Sequence, residues 1–185
     1  MRIAVYPGSF DPLHIGHLAI MERLAADPGV DGIYLVISPQ NPFKDPSKAE
    51  TAELRYRAAA EAVRRHPELP VRVDPIELEM PAPTYTIRTL DALKRREPDN
   101  DFTLVIGADN LQGIRRWREA PRILKEYGVA VYPRRGCEPE ALRTDLLAEC
   151  GQYRIRLIDA PLVDISSTRI REMQAQGLDV SEFLM

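Results

Sequence analysis

Apolar residues come in short runs, separated by longer stretches in which they recur every three or four positions. Residues 3–6 and 33–37 are unbroken apolar runs of strand length, and the second is rich in β-branched side chains. Residues 102–106, 129–132 and 155–158 read as further strands, and 71–78 as a strand that alternates in part. Helical spacing places Leu18, Met21 and Leu24 on one face over 17–26, and Leu54, Ala58 and Ala62 on one face over 52–65. Further helices are predicted over 85–96, stopped by Pro98, over 114–127, interrupted near Pro121, and over 167–176, ended by Gly177. Strands alternating with helices predict βαβ units, and unbroken apolar strands predict a sheet covered on both sides. The expected fold is α/β: a Rossmann-like open parallel sheet with helices on both faces, in one domain over 1–185 with a helical C-terminal segment, 166–185.

Composition changes this picture little. At 185 residues, 44% hydrophobic and 29% charged, the chain suits one core. A net charge of −3 argues against a nucleic-acid partner, which a basic domain would signal. No apolar run approaches the ~20 residues of a membrane span, and the N-terminus lacks the apolar core of a signal peptide. Cys137 and Cys150 form no metal-binding or redox spacing, so reduced thiols and a cytoplasmic location are expected. Small molecules are the remaining class of partner, and assembly into a homo-oligomer stays open.

Chemistry concentrates in two segments. Gly8-Ser9-Phe10-Asp11-Pro12-Leu13-His14-Ile15-Gly16-His17 joins the first strand to the first helix, at the strand end where open parallel sheets bind ligands. Small residues let backbone amides approach an anion, and histidines three apart share a helix face, so amides and imidazoles together suit phosphate. Histidines that only hydrogen-bond locally are the plainer alternative, and a zinc pair would need a third ligand that the local sequence lacks. Neither a Walker loop nor a dinucleotide Gly-x-Gly-x-x-Gly occurs. The second segment, Ile165-Ser166-Ser167-Thr168-Arg169-Ile170-Arg171, sets three hydroxyls before a helix with two arginines in its first turns. That suits phosphate oxygens, or a plain helix cap with solvated arginines.

The first segment resembles the signature Gly-(Gly/Ser)-(Thr/Ser)-Phe-Asp-Pro-x-(His/Thr)-x-Gly-His of the nucleotidyltransferase superfamily, and the second resembles its Ile-Ser-Ser-Thr-x-Ile-Arg. Between them, Pro83-Thr84-Tyr85-Thr86, and Gly107-Ala108-Asp109 followed eight residues later by Trp117, are similar to segments of nicotinate-nucleotide adenylyltransferases. So are Asn41-Pro42-Phe43-Lys44, where Phe43 replaces a usual His, and Arg134-Arg135-Gly136 after the fifth strand. Arg88 stands where that family often has Asp.

The resemblance implies the HxGH nucleotidyltransferase type of fold. It also implies an enzyme that moves AMP from ATP to nicotinic acid mononucleotide, giving deamido-NAD and pyrophosphate in NAD biosynthesis. ATP is the implied co-substrate, with Mg2+ carried on its phosphates and no metal site of the protein's own. His17 and His14 become the catalytic groups, with Gly8, Ser9, Phe10, Gly107, Asp109, Ile165, Ser166, Ser167, Thr168 and Arg171 as further ATP contacts. Lys44, Tyr85, Thr86, Trp117 and Arg118 become contacts of the acceptor. The amides of Thr86 and Arg118 would meet the pyridine carboxylate and Trp117 would stack on the ring, favouring acid over amide. Arg88 and Arg118 would reinforce this if they face the pocket. Default roles compete: Trp117 as core, Lys44 as a solvated cation, Asp109 as a helix N-cap, Tyr85 and Thr86 as a helix's first turn. Pantetheine-phosphate adenylyltransferases share both ATP segments but not the middle ones. They are the runner-up among enzymes, a dual-specificity enzyme for both pyridine mononucleotides is a further alternative, and a non-catalytic nucleotide sensor is the alternative outside enzymes.

Overall fold

A computed structural model of the chain describes residues 1–39 and 52–185. In chain order the elements are β1 Arg2–Gly8, α1 Ile15–Ala25, β2 Gly32–Ile37, α2 Ala52–Arg64, β3 Val71–Asp74, α3 Thr86–Arg96 and β4 Asp101–Gly107. There follow α4 Ala108–Gly113, the one-turn α5 Ala120–Arg122, β5 Val129–Tyr132, α6 Pro139–Glu149, β6 Ile155–Leu157 and α7 Ser167–Ala175. Among the described residues the strands form one parallel sheet in the order β3-β2-β1-β4-β5-β6. The chain builds outward from β1 through β2 and β3, then crosses back to lay β4 on the other side of β1. The crevice beyond the carboxyl ends of β1 and β4 is thus the topological switch point, where such sheets bind ligands.

Side-chain alternation along the strands divides the core in two. Ala4, Tyr6, Ile33, Leu35 and Ile37 pack with Ile20, Met21 and Leu24 of α1 and with Ala59 and Ala62 of α2. Ile3, Val5, Phe102, Leu104 and Ile106 pack with Ile87, Leu90 and Leu93 of α3, Leu111 of α4 and Leu146 of α6. Helices cover both faces, as the unbroken strands require.

Five expectations need correction. On α2 the buried face is Arg55, Ala59 and Ala62, while Leu54 and Ala58 are exposed, because Arg55 turns inward to bond the Ser9 and Ser38 carbonyls. No helix is expected over 139–149, yet α6 lies there; only Leu146 of it is buried, so no apolar stripe marks it. The strand expected over 71–78 stops at Asp74. Pro75 has no N–H for a neighbouring strand, and Asp74 Oδ1 accepts from the Ile76 N–H at 3.1 Å, which starts a 3₁₀ turn, Ile76–Leu78. Residues 114–127 are not one helix but a 3₁₀ turn, then α5, then a π-helical turn, Ile123–Tyr127. Glu119, left-handed at φ 54°, makes the break, and Pro121 sits comfortably in the first turn of α5. Finally, α1 begins at Ile15, earlier than expected, because His14 caps it.

Candidate active site

Leaving β1, the chain folds back on itself. Phe10 takes φ 44°, a left-handed conformation that costs a non-glycine residue about 1–3 kcal/mol. Its ring lies over Gly8, where an added Cβ would sit 2.8 Å from the ring, so glycine is required. Because the ring is buried, Phe10 offers a ligand its amide and not its side chain.

His14 is the N-cap of α1. Its Nδ1 accepts from the Gly16 N–H at 3.1 Å, while His17 Nδ1 accepts from the His14 N–H at 3.3 Å. This is a capping box made of imidazoles. A ring nitrogen that accepts carries no proton, so in each neutral ring the proton sits on Nε2. The rings stack with centroids 3.7 Å apart, and both line a cleft with Gly8, Ser9 and Ser166 to Thr168. Tyr6 and Phe10 stand edge-on to His17 at 6.2 and 5.0 Å. Loss of water disfavours the charged ring. Burial first, then nearby Arg134, brings His14 down to about 4; burial, then His14 and Arg134, hold His17 well below its ordinary value. At neutral pH the ligand-free pair is two uncharged N–H donors.

The second segment docks onto the first. Ser166 caps α7, its Oγ accepting from the Arg169 N–H at 3.2 Å. Ser167 Oγ donates to the Pro12 carbonyl at 3.1 Å, and Arg171 donates to the Asp11 carbonyl and lies 3.5 Å from the Asp11 carboxylate. Arg171 Nη2 also donates to Thr168 Oγ1 at 3.2 Å. Ser166 therefore is the expected cap, and Arg171 is no solvated arginine. Of the three hydroxyls, Ser167 uses its proton on Pro12, while Ser166 and Thr168 act as acceptors and keep theirs for a ligand oxygen.

Arg134 follows β5. Its guanidinium lies over the Tyr132 ring at 4.9 Å, Nη2 donates to the Tyr132 hydroxyl at 3.2 Å, and Nε is 3.7 Å from Asp109 Oδ1. Gly107 permits this closeness, since a Cβ there would meet Asp109 Oδ1 at 2.2 Å. Asp109 is not the N-cap expected: α4 starts one residue earlier, capped by Gly107, and Asp109 stands in its first turn. Asp109, Arg134, Leu162, Val163, Ile165 and Ser166 line a cleft of about 490 Å³.

On the other side of Asp109 a cavity of about 610 Å³ opens, lined by Thr84, Tyr85, Thr86, Asn110, Trp117 and Arg118 among others. Trp117 is half-buried: it packs against the core and also lines the cavity. Arg118 stacks over the Tyr85 ring at 5.0 Å. Thr86 opens α3, so helical geometry leaves its N–H without an intrahelical acceptor. Arg88 does not join the cavity; it donates to the Pro83 carbonyl at 2.9 Å. Lys44 and its neighbours lie outside the described residues.

The model of the cytidylyltransferase-like family matches residues 5–173, which include both segments. The chain belongs to the cytidylyltransferase-like family. Within it, the chain is 37% identical over 183 residues to the probable nicotinate-nucleotide adenylyltransferase of Bacteroides fragilis, covering 99% of this chain and 87% of that protein. It is 34% identical over 184 residues to the probable nicotinate-nucleotide adenylyltransferase of Flavobacterium johnsoniae, covering 100% and 92%. Among solved structures, Plasmodium falciparum nicotinic acid mononucleotide adenylyltransferase complexed with NaAD matches with a TM-score of 0.80 over 99% of this chain and 90% of that one. At 19% identity that likeness speaks for the fold. Tyr132 and Leu162 carry no sequence signal that marks them as site residues. Arg134 does, as the first residue of its family-like Arg-Arg-Gly, although the pattern alone attaches no role to it.

Proposed function

We propose that this chain transfers AMP from ATP to nicotinic acid mononucleotide, releasing pyrophosphate and deamido-NAD. The observation that carries this is a run of adjoining clefts: the one edged by paired imidazole donors and hydroxyls shares Arg134 and Ser166 with the next, and that one shares Asp109 with the unlike cavity of Trp117 and Tyr85. Relatives that match along the whole chain bear the name of the same activity.

In this reaction a phosphate oxygen of the acceptor attacks the α-phosphorus of ATP. The new P–O bond forms as the bond to the β-phosphate oxygen breaks, and pyrophosphate leaves with that electron pair. A phosphate dianion needs no general base, so the protein has only to position the two nucleotides and neutralise charge. The Nε2–H groups of His17 and His14 would donate to the α-phosphate oxygens, with the amides of Gly8, Ser9 and Phe10 beside them. Ser166, Thr168 and Arg171 would hold the departing pyrophosphate, and Ile165 and Gly107 would flank the adenosine. Magnesium would arrive on the triphosphate. In the second cavity Trp117 would take the pyridine ring, and the Thr86 and Arg118 amides its carboxylate.

The test is pyrophosphate release from ATP and magnesium with three acceptors: nicotinic acid mononucleotide, nicotinamide mononucleotide and phosphopantetheine. Release confined to the first supports the proposal. Equal release with both pyridine nucleotides makes the enzyme dual-specific, and release with phosphopantetheine alone replaces the acceptor. Binding of ATP without release in any mixture leaves a nucleotide sensor.

A further inference from the structure

Two buried ionisable groups flank the phosphate loop and take no part in the chemistry above. Arg55, on α2, is 4% exposed, and Glu77, in the turn after β3, is 5% exposed. They meet at Ser38, just past the end of β2. Arg55 Nη2 donates to the carbonyls of Ser38 at 2.8 Å and Pro39 at 3.0 Å, and its Nη1 donates to the Ser9 carbonyl. The Ser38 N–H donates to the Gly8 carbonyl at 2.9 Å. Glu77 accepts from the Thr89 hydroxyl of α3 at 2.8 Å and from the Ser38 hydroxyl; both oppose the upward push that burial gives its carboxyl.

Burying a guanidinium among carbonyls is a poor route to stability, since a packed apolar side chain does as well or better. What it supplies is direction. The peptide joining Ser9 to Phe10 is planar, so its C=O and N–H point opposite ways. Holding the Ser9 carbonyl toward α2 therefore turns the Phe10 N–H away from α2, and Ser9 and Phe10 both line the cleft that holds the two imidazoles. The left-handed Phe10 is part of the same arrangement.

We propose that Arg55 is a positioning residue: by gripping the Ser9 carbonyl, with Ser38 and Glu77 fixing its second anchor, it aims the Phe10 amide at the α-phosphate of ATP. The proposal rests on the AMP-transfer reading. A lysine keeps the charge but lacks the fork that spans three carbonyls, so Arg55→Lys and Arg55→Met should both lower kcat, by about tenfold to a hundredfold, the range expected of a misplaced phosphate contact. Both should weaken ATP binding, measured by calorimetry, while adenosine, which has no phosphate, binds as before. Glu77→Gln should shift both quantities the same way by less.

Unchanged kcat in folded variants overturns the proposal. So does a parallel loss of ATP and adenosine affinity, which is what a merely structural role produces. Should Arg55→Met fail to fold, Arg55→Lys and Glu77→Gln carry the same comparison. The calorimetric contrast needs no turnover, so it still judges Arg55 if the wild-type protein proves unable to transfer AMP, the separate outcome that defeats the functional reading.

Discussion

The two halves of the cleft are built in opposite ways. In the phosphate half the groups that shape the backbone are tied down before a ligand arrives. The imidazoles hold the start of α1, Ser167 and Arg171 hold the Asp11 and Pro12 carbonyls, and Arg55 holds Ser9. In the acceptor half Tyr85 is 39% exposed, Arg118 rests on its ring, and Trp117 sits in a stretch broken by Glu119. That stretch is supported from behind, where Arg122 and Tyr127 both grip Asp91 of α3. Catalysis by fixed dipoles demands that nothing reorganise during the reaction. Choice of acceptor demands only shape and a few well-placed amides. The contrast assigns rate to one half and selectivity to the other, and it can be broken.

The largest effect is expected at His17. His17→Ala should retain the fold by circular dichroism and lose at least about 2.7 kcal/mol of transition-state stabilisation, a hundredfold in kcat. Near wild-type turnover by the purified variant removes the phosphate half from the chemistry. Next in size is selectivity. Two N–H donors converging on a carboxylate leave a carboxamide NH2 facing a donor, and such a mismatch costs about 1–3 kcal/mol. The kcat/KM for nicotinic acid mononucleotide should then exceed that for nicotinamide mononucleotide about tenfold to a hundredfold. Trp117→Ala should shrink kcat/KM for the acceptor while leaving the KM for ATP in place; a shift in the ATP constant instead would merge the two halves.

Arg171→Ala should raise the KM for ATP and slow turnover, by about tenfold, the worth of one charge-assisted hydrogen bond. Because Arg171 also donates to Asp11, a stability loss of about 1 kcal/mol should accompany it. Loss of stability with normal ATP kinetics would make it only a clamp.

A separate effect, on stability and not on rate, is a pH slope. In the fold His14 titrates near 4 and His17 well below its usual value, and on unfolding both return to about 6.5. Between those limits the unfolded chain binds more protons, so the ligand-free protein loses stability as pH falls from about 6.5 toward 4. Each histidine contributes at most about 1.4 kcal/mol per pH unit, and neither contributes a slope above about 6.5. Urea midpoints across that window should fall more steeply for wild type than for the double variant H14N/H17N. Equal slopes would mean that the pair is already hydrated.

What the sequence discloses divides along similar lines. The strands β1, β2 and β5 are legible because burial on both faces writes them as unbroken apolar runs. The helices α1 and α3 are legible because one face of each meets the core; α7, which buries only Ile170, is marked by Gly177 after its end, and α2 is legible from its spacing although the face it buries is that of Arg55, Ala59 and Ala62. α6 is not, since it offers the core little but Leu146, and the broken stretch after α4 is not, since its turns follow from Glu119's backbone and not from a period. Both phosphate segments can be read because each is contiguous and rich in unusual residues. Arg134, Arg55 and Glu77 join them only through the fold. Along the chain they look like ordinary charged positions, and only the Arg-Arg-Gly likeness points to the first.

The bonds that orient the two imidazoles are the bonds that begin α1. On the proposed roles of His14 and His17, competence for AMP transfer is in this sense a property of a helix end. Whenever the first turn of α1 frays, the His14 and Gly16 amides open to water and both Nε2 donors lose their direction together. Local openings of this kind are equilibria of their own, separate from global unfolding. Hydrogen exchange at those two amides and the fraction of molecules able to turn over are then one equilibrium observed from its two sides, and whatever tightens the helix end slows the first and raises the second.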